Sequence, residues 1–362
     1  MNYRGKGYRH GGSPAADMIR LGLDPGPVLD FSVNINPRGA PAPVRERWSE
    51  FYELIGNYPA IEGDGVTRFY EERFGIPRTR CLPGNGSTEL IYMIPRVLGV
   101  EHAVVVTPSY HDYERATLLA GARVTRLRLS PEEDFAPLPV AVLSRALEEA
   151  DAIWLGRPNN PTGTLAPKRD MVELAERHPD KWVILDEAFV QFLEEWQEES
   201  LLLEPPMKNV LVVHSLTKFY ALAGLRLGAV VGHEQTISLL KQAKEPWTVN
   251  AVADRVATLI IGARDYDEES RRVIAQERDR VYTKLKEGPG YRPCNPTANF
   301  LLCRWEAGQD LDDLLRHLLV NGLYARDCRN FPGLEEGFFR IGVRRRAEND
   351  RLLEVLASAP GA

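Results

Sequence analysis

Lys218 lies in the run Ser215-Leu-Thr-Lys-Phe-Tyr220, close behind two hydroxyl residues, and Arg226 follows eight residues later between Gly224 and Gly228. A buried lysine that gives up its proton can condense with an aldehyde. Hydroxyls and a planar guanidinium match the oxygens of a phosphate monoester. The residue types in this run therefore suit a small molecule that carries both groups, as pyridoxal 5'-phosphate does.

Four other motifs carry candidate chemistry, each with a plainer reading beside it. Gly84-Asn-Gly86-Ser87-Thr88-Glu89 precedes an apolar helical pattern. A glycine turn feeding a helix start exposes unpaired N–H groups and makes an anion site, although a hydroxyl there often serves only as an N-cap. Pro108-Ser-Tyr110 follows an apolar run, and its ring could stack on a planar cofactor or simply fill the core. Pro158-Asn-Asn160-Pro-Thr-Gly163 is rich in turn formers, and the Asn160 amide could donate to the phenolic oxygen of pyridoxal phosphate. Asp186, in Asp186-Glu-Ala-Phe189, ends a strand pattern. It could be a surface charge, or it could keep the pyridine nitrogen protonated so that the ring stays an electron sink.

The elements that must hold these residues alternate in type. Ala103–Thr107, Asp151–Leu155, Trp182–Asp186, Val210–His214 and Leu227–Val231 are nearly continuous apolar runs, as expected of strands covered on both faces. Helical patterns fall between them near 88–98, 112–120, 140–150 and 168–177. This predicts an α/β domain with a mostly parallel sheet, in which ligands collect beyond the carboxyl ends of strands. Asp186 and Lys218 would both reach that edge. After residue 232 the pattern turns helical, then mixes strands at Ala298–Arg304 and Phe338–Val343 with helices near 310–319 and 348–358. The expected organisation is an arm over 1–45 packing on the small domain and active site, a large domain over 46–262 and a small α+β domain over 263–362.

Composition narrows the function. The 362 residues carry a formal net charge of −6, so no global basic field recruits nucleic acid or an anionic membrane. Four scattered cysteines read as reduced, packed thiols, and no His/Cys cluster suggests a metal. Neither a signal-like nor a membrane-spanning apolar run is visible, so the expectation is a cytoplasmic protein.

Taken in order, glycine turn, aromatic, Asn-Pro-x-Gly, Asp, Ser-x-x-Lys and Arg resemble the fold-type I pyridoxal-phosphate enzymes, the aspartate aminotransferase superfamily, over nearly the whole chain. The resemblance implies Lys218 as the Schiff-base lysine, Asp186 at the pyridine nitrogen, Asn160 at the phenolic oxygen and Tyr110 stacked on the ring. It implies Gly86, Ser87, Thr88, Ser215, Thr217 and Arg226 around the cofactor phosphate. Phe339-Arg340-Ile-Gly-Val343 matches the family position of an arginine that grips a substrate carboxylate. Arg9-His10-Gly-Gly12, Asp30-Phe-Ser-Val-Asn34-Ile-Asn36-Pro37, Gly56-Asn-Tyr58-Pro59 and Arg326 look like parts of a substrate-phosphate pocket. His10, Asn34, Tyr58, Arg326 and Arg340 are thus the implied substrate residues, with Tyr58 reaching the site of a partner subunit in a homodimer. His10 by itself would read as a solvated arm residue.

Two branches share this architecture: the histidinol-phosphate aminotransferases and the threonine-phosphate decarboxylases of cobalamin synthesis. The arm, Ser-Leu-Thr-Lys-Phe-Tyr, Pro246-Trp-Thr-Val-Asn250 and the Arg326–Gly333 stretch are similar to the decarboxylases, as is Phe189, where aminotransferases usually carry Tyr. That likeness implies decarboxylation of O-phospho-L-threonine. O-phospho-L-serine and histidinol phosphate remain alternative substrates. A non-catalytic cofactor-binding regulator would need a basic DNA-binding domain ahead of residue 46, and none is legible. Arg329, Arg344, Arg345 and Arg346 read as electrostatic background, the last three as a solvated strand end.

Overall fold

The computed structural model describes residues 11–20, 22–24, 26–307 and 310–359. Its strands are β1 Leu29–Asp30, β2 Cys81–Asn85, β3 His102–Thr107, β4 Arg123–Arg128, β5 Ala152–Gly156, β6 Trp182–Asp186, β7 Val210–Ser215, β8 Leu227–Gly232, β9 Tyr291–Pro293, β10 Phe300–Trp305, β11 Leu323–Tyr324, β12 Arg326–Asp327 and β13 Phe338–Gly342. Seven form one sheet in the order β2-β8-β7-β6-β5-β3-β4. Neighbours from β4 to β7 run parallel, whereas β8 is antiparallel to both β7 and β2.

The five apolar runs become the five inner strands, within one or two residues at each end. Alternate side chains enter opposite layers: Val104, Val106, Ile153 and Leu155 join one core, Ala103, Val105, Ala152 and Trp154 the other. That two-sided burial is what makes the runs continuous.

Both edge strands escaped the sequence reading, for different reasons. β2 contains Pro83-Gly84, a dipeptide that signals a turn and is tolerated at a sheet edge because proline lacks a donor. β4, Arg-Val-Thr-Arg-Leu-Arg, is mostly exposed; its arginines suit an edge that must not pair further.

Beyond the 24-residue helix Arg264–Glu287, a second sheet has the order β12-β13-β10-β9, antiparallel throughout. The arm is stitched to this region. β1 pairs parallel with β11, Phe31 N–H donates to the Tyr324 carbonyl at 2.7 Å, and Gly342 N–H donates to the Phe31 carbonyl at 2.7 Å. A side chain at Gly342 would bring its Cβ within 2.6 Å of the Val33 carbonyl oxygen, so only glycine lets the arm this close. The arm also carries a helix at Pro14–Arg20 that its Gly/Pro content hid.

At the strand end Arg345 and Arg346 are exposed, as a solvated end would be, whereas Arg344 is half-buried. Arg344 donates to the Asp30 carbonyl at 3.0 Å, Arg345 to the Pro37 carbonyl at 2.9 Å, and Arg346 pairs with Glu277 at 3.5 Å. Arg344 and Arg345 fasten the arm. Arg329 bridges Asp327 and Asp312. All four cysteines are free and buried. Among the described residues no helix is long and apolar enough to cross a membrane.

Candidate active site

A cavity of about 420 Å³ opens beyond the carboxyl ends of β3, β5, β6 and β7. Each strand end delivers polar groups: Tyr110 after β3, Asn160 after β5, Asp186 at the end of β6, and Ser215, Thr217 and Lys218 at and after the end of β7. Parallel strands ending in register bring together residues more than a hundred positions apart.

Ser215 caps the short helix Leu216–Phe219, and its hydroxyl lies 2.8 Å from that of Thr217. Lys218 follows on that turn. The arm grips the same turn: Asn36 N–H donates to the Lys218 carbonyl at 3.0 Å, and its side-chain amide donates to the Phe219 carbonyl at 2.9 Å. Burial, and then the nearby Arg226 and Arg340, lower the Lys218 ammonium from its ordinary value to about 8.

Asp186 is buried. Its carboxylate accepts from the Tyr113 hydroxyl at 2.7 Å and from the Ala188 N–H at 3.0 Å. Burial raises it to about 6, against the pull of those donors and of Lys218. Behind the two loops Arg157 and Glu187 form a fully buried pair at 2.7 Å, and Arg157 Nε donates to the Ala166 carbonyl at 2.7 Å. Leaving either charge without its partner would be strongly destabilising, so the pair fixes the backbone next to Pro158 and Asp186.

Ser87 and Thr88 open the helix Gly86–Val97 and line the cavity with Arg226. Arg226 Nη2 donates to the Thr88 hydroxyl at 3.4 Å. Gly86 does not line the cavity but permits this approach. It adopts φ +70°, and a Cβ there would lie 2.6 Å from Arg226 Nη2. Helix N–H groups, hydroxyls and a guanidinium make one end of the cavity a phosphate cradle; the buried carboxylate and the lysine supply the other contacts pyridoxal phosphate needs. The residues fit the cofactor.

The opposite wall comes from the arm and the second sheet. Arg340, on β13, donates to the Ser32 carbonyl at 2.7 Å and to Asn160 Oδ1. The second contact orients the Asn160 amide, because a guanidinium only donates and must therefore meet its oxygen. Arg340 is buried, which lowers it to about 10. Its Nε, and the Oδ1 of Asn34 on the arm, have no hydrogen-bond partner among the described residues. Arg326 lies over the Phe331 ring at 5.2 Å and also lines the cavity.

Of the implied substrate residues, Tyr58 is not brought here. His10 lies outside the described residues. Tyr58 is 85% exposed and packs against Trp247 at 5.2 Å between ring centroids, away from this chain's cavity. Tyr113 and His111 were missed, and Asn36 stood in the arm motif without a role at the lysine turn. Tyr113 had a usable signal, three residues after Tyr110 on the helix Asp112–Leu119, which turns it back under the ring position. Nothing local marks Asn36 or the Arg157–Glu187 pair, because their partners are distant in sequence.

The fold and this constellation define a pyridoxal-phosphate enzyme. A model of the aminotransferase class I and II family matches residues 63–356, and the chain belongs to that family. More particularly, it is 33% identical to a threonine-phosphate decarboxylase from Salmonella typhimurium, over 96% of this chain and 95% of the relative. It is also 32% identical to a histidinol-phosphate aminotransferase from Chlorobium luteolum, over 87% of this chain and 85% of the relative. Among solved structures it is similar to the histidinol-phosphate aminotransferase of Clostridium acetobutylicum, with a TM-score of 0.84 and 28% identity, covering 91% of this chain and 98% of that one.

Proposed function

We propose that the protein decarboxylates O-phospho-L-threonine to (R)-1-aminopropan-2-yl phosphate and CO2, as a cytoplasmic homodimer in which Tyr58 reaches the partner's site. The observation that carries this reading is charge. Beyond Arg226, which suits the cofactor phosphate, two further buried guanidiniums, Arg326 and Arg340, line the same cavity. A substrate with one amine and two separate anions would complement them. Similarity to the Salmonella decarboxylase over almost the full length supports the choice of substrate.

Pyridoxal phosphate, held by Lys218 until a substrate amine takes its place and by the phosphate cradle and Asp186 throughout, would supply an electron sink for the pair left on Cα when CO2 departs. Lys218, lowered to about 8 by burial, stays mostly an ammonium at neutral pH and, as it gives up that proton to Cα, becomes the neutral amine. Asp186 holds a proton on the pyridine nitrogen, itself fixed by the Tyr113 hydroxyl and the Ala188 N–H. Asn160 directs its amide N–H to the phenolic oxygen. Arg340 takes the substrate carboxylate and Arg326 the phosphate; together they pivot the substrate about Cα. That pivot would set the orientation of the bonds at Cα, and displacements of about 1 Å can change rates by ~10²-fold.

Histidinol-phosphate transamination is the second reading, favoured by the Chlorobium and Clostridium relatives. Incubating the pyridoxal-phosphate-loaded protein with O-phospho-L-threonine should release aminopropanol phosphate and CO2. Glutamate formed from histidinol phosphate and 2-oxoglutarate, with no CO2 from phosphothreonine, would overturn the proposal. Sedimentation as a monomer would sink the homodimer.

A further inference from the structure

The wall that carries Arg326 contains a second group to which no role has yet been given. His111 follows Tyr110 in the loop after β3 and lines the cavity. Its ring stacks on Phe331, with centroids 4.2 Å apart and planes 20° from parallel, while Arg326 lies over the same Phe331 ring. Asn330 joins the two side chains. Arg326 Nη2 lies 2.9 Å from Asn330 Oδ1, and Asn330 Nδ2 lies 3.1 Å from His111 Nε2.

The donor inventory fixes the state of this chain of contacts. A guanidinium only donates, so the Asn330 oxygen must face Arg326 and its NH2 must face His111. His111 Nε2 therefore accepts, and the neutral ring carries its proton on Nδ1 as a donor. Stacking on Phe331 sets the ring plane, and Asn330 sets its rotation. A donor held this way beside an arginine suits the several oxygens of a phosphate better than the two of a carboxylate.

We propose that His111 is a specificity-determining contact for the phosphate of the substrate, and that Asn330 is a positioning residue that presets His111 and Arg326 as one recognition unit. This rests on the reading that the substrate is a phosphorylated amino compound. The unit is assembled between the loop after β3 and the segment after β12, so it exists only where the two sheets meet.

The test uses the cofactor-loaded full chain and reads binding from the change in cofactor absorbance. O-phospho-L-threonine is paired with L-threonine, and L-histidinol phosphate with L-histidinol. His111→Phe keeps a ring on Phe331 but removes the donor. It should weaken the phosphorylated member of the pair by about tenfold or more, the scale of a hydrogen bond to a charged group, and leave the unphosphorylated member within about twofold. His111→Asn, which returns an N–H near the Nδ1 position, should recover most of that loss. Asn330→Ala should give the same selective loss with a smaller amplitude, raising KM more than it lowers kcat. An unchanged absorbance band before ligand is added reports that each variant is folded and loaded. Equal weakening of both members, or of neither, overturns the proposal while leaving the substrate reading intact. Wild-type protein that prefers neither phosphorylated compound over its counterpart overturns both.

Discussion

The two walls of the cavity are built by different means. The cofactor wall comes from strand ends of one sheet, and its polar groups largely hold one another: Ser215 with Thr217, Arg226 with Thr88, Asp186 with Tyr113. The substrate wall joins the arm to β12 and β13, and Asn34 Oδ1 and Arg340 Nε there have no hydrogen-bond partner among the described residues. Each such buried atom costs about 1–3 kcal/mol until a ligand pairs it. Among the described residues, the buried unpartnered side-chain atoms that line the cavity thus lie on the substrate wall.

Substitutions should therefore separate by wall. Lys218→Ala is expected to have the largest effect, lowering turnover by at least ~10²–10⁴-fold and abolishing the absorbance of the lysine-linked cofactor; a surviving band would remove Lys218 from its role. Arg340→Met should lower kcat/KM on the order of 10²- to 10³-fold yet keep that band, and loss of the band would mean the walls are not separable. Tyr113→Phe removes a donor that lowers Asp186, so its carboxyl should rise above about 6. The acid limb of the activity profile should then move to higher pH, with about tenfold less activity at neutral pH; an unmoved limb would detach Tyr113 from Asp186. The smallest effect concerns Lys218 itself. Its neutral form attacks the aldehyde, so cofactor capture by the apoprotein should rise as pH passes through about 8 and level off above it. Because Arg340 helps to lower Lys218, Arg340→Met should shift that rise to higher pH. A flat profile in both proteins would contradict the assigned coupling.

Legibility in the sequence followed the same division. The inner strands announced themselves because burial on both faces leaves only apolar residues, and the residues of the cofactor wall sit at their ends, in loops with distinctive composition. The two edge strands did not, since an edge tolerates proline in β2 and arginine in β4. On the substrate wall, Arg340 was visible only through a likeness, not from any local pattern. His111, the grip of Asn36 on the lysine turn and the Arg157–Glu187 pair were invisible because each is defined by a partner brought near only by the completed fold. Arg344 departs from the solvated reading for the same reason: its acceptor is the Asp30 carbonyl, 314 residues away.

The bond from Arg340 to the Ser32 carbonyl spans 308 residues. Loops this long close late, after contacts nearer in sequence have formed. During synthesis the lysine, the carboxylate and the phosphate cradle are all present once residue 228 has emerged, whereas the substrate wall must wait for the last strand to capture the first. Selectivity among amines therefore depends on the final segment of the polypeptide.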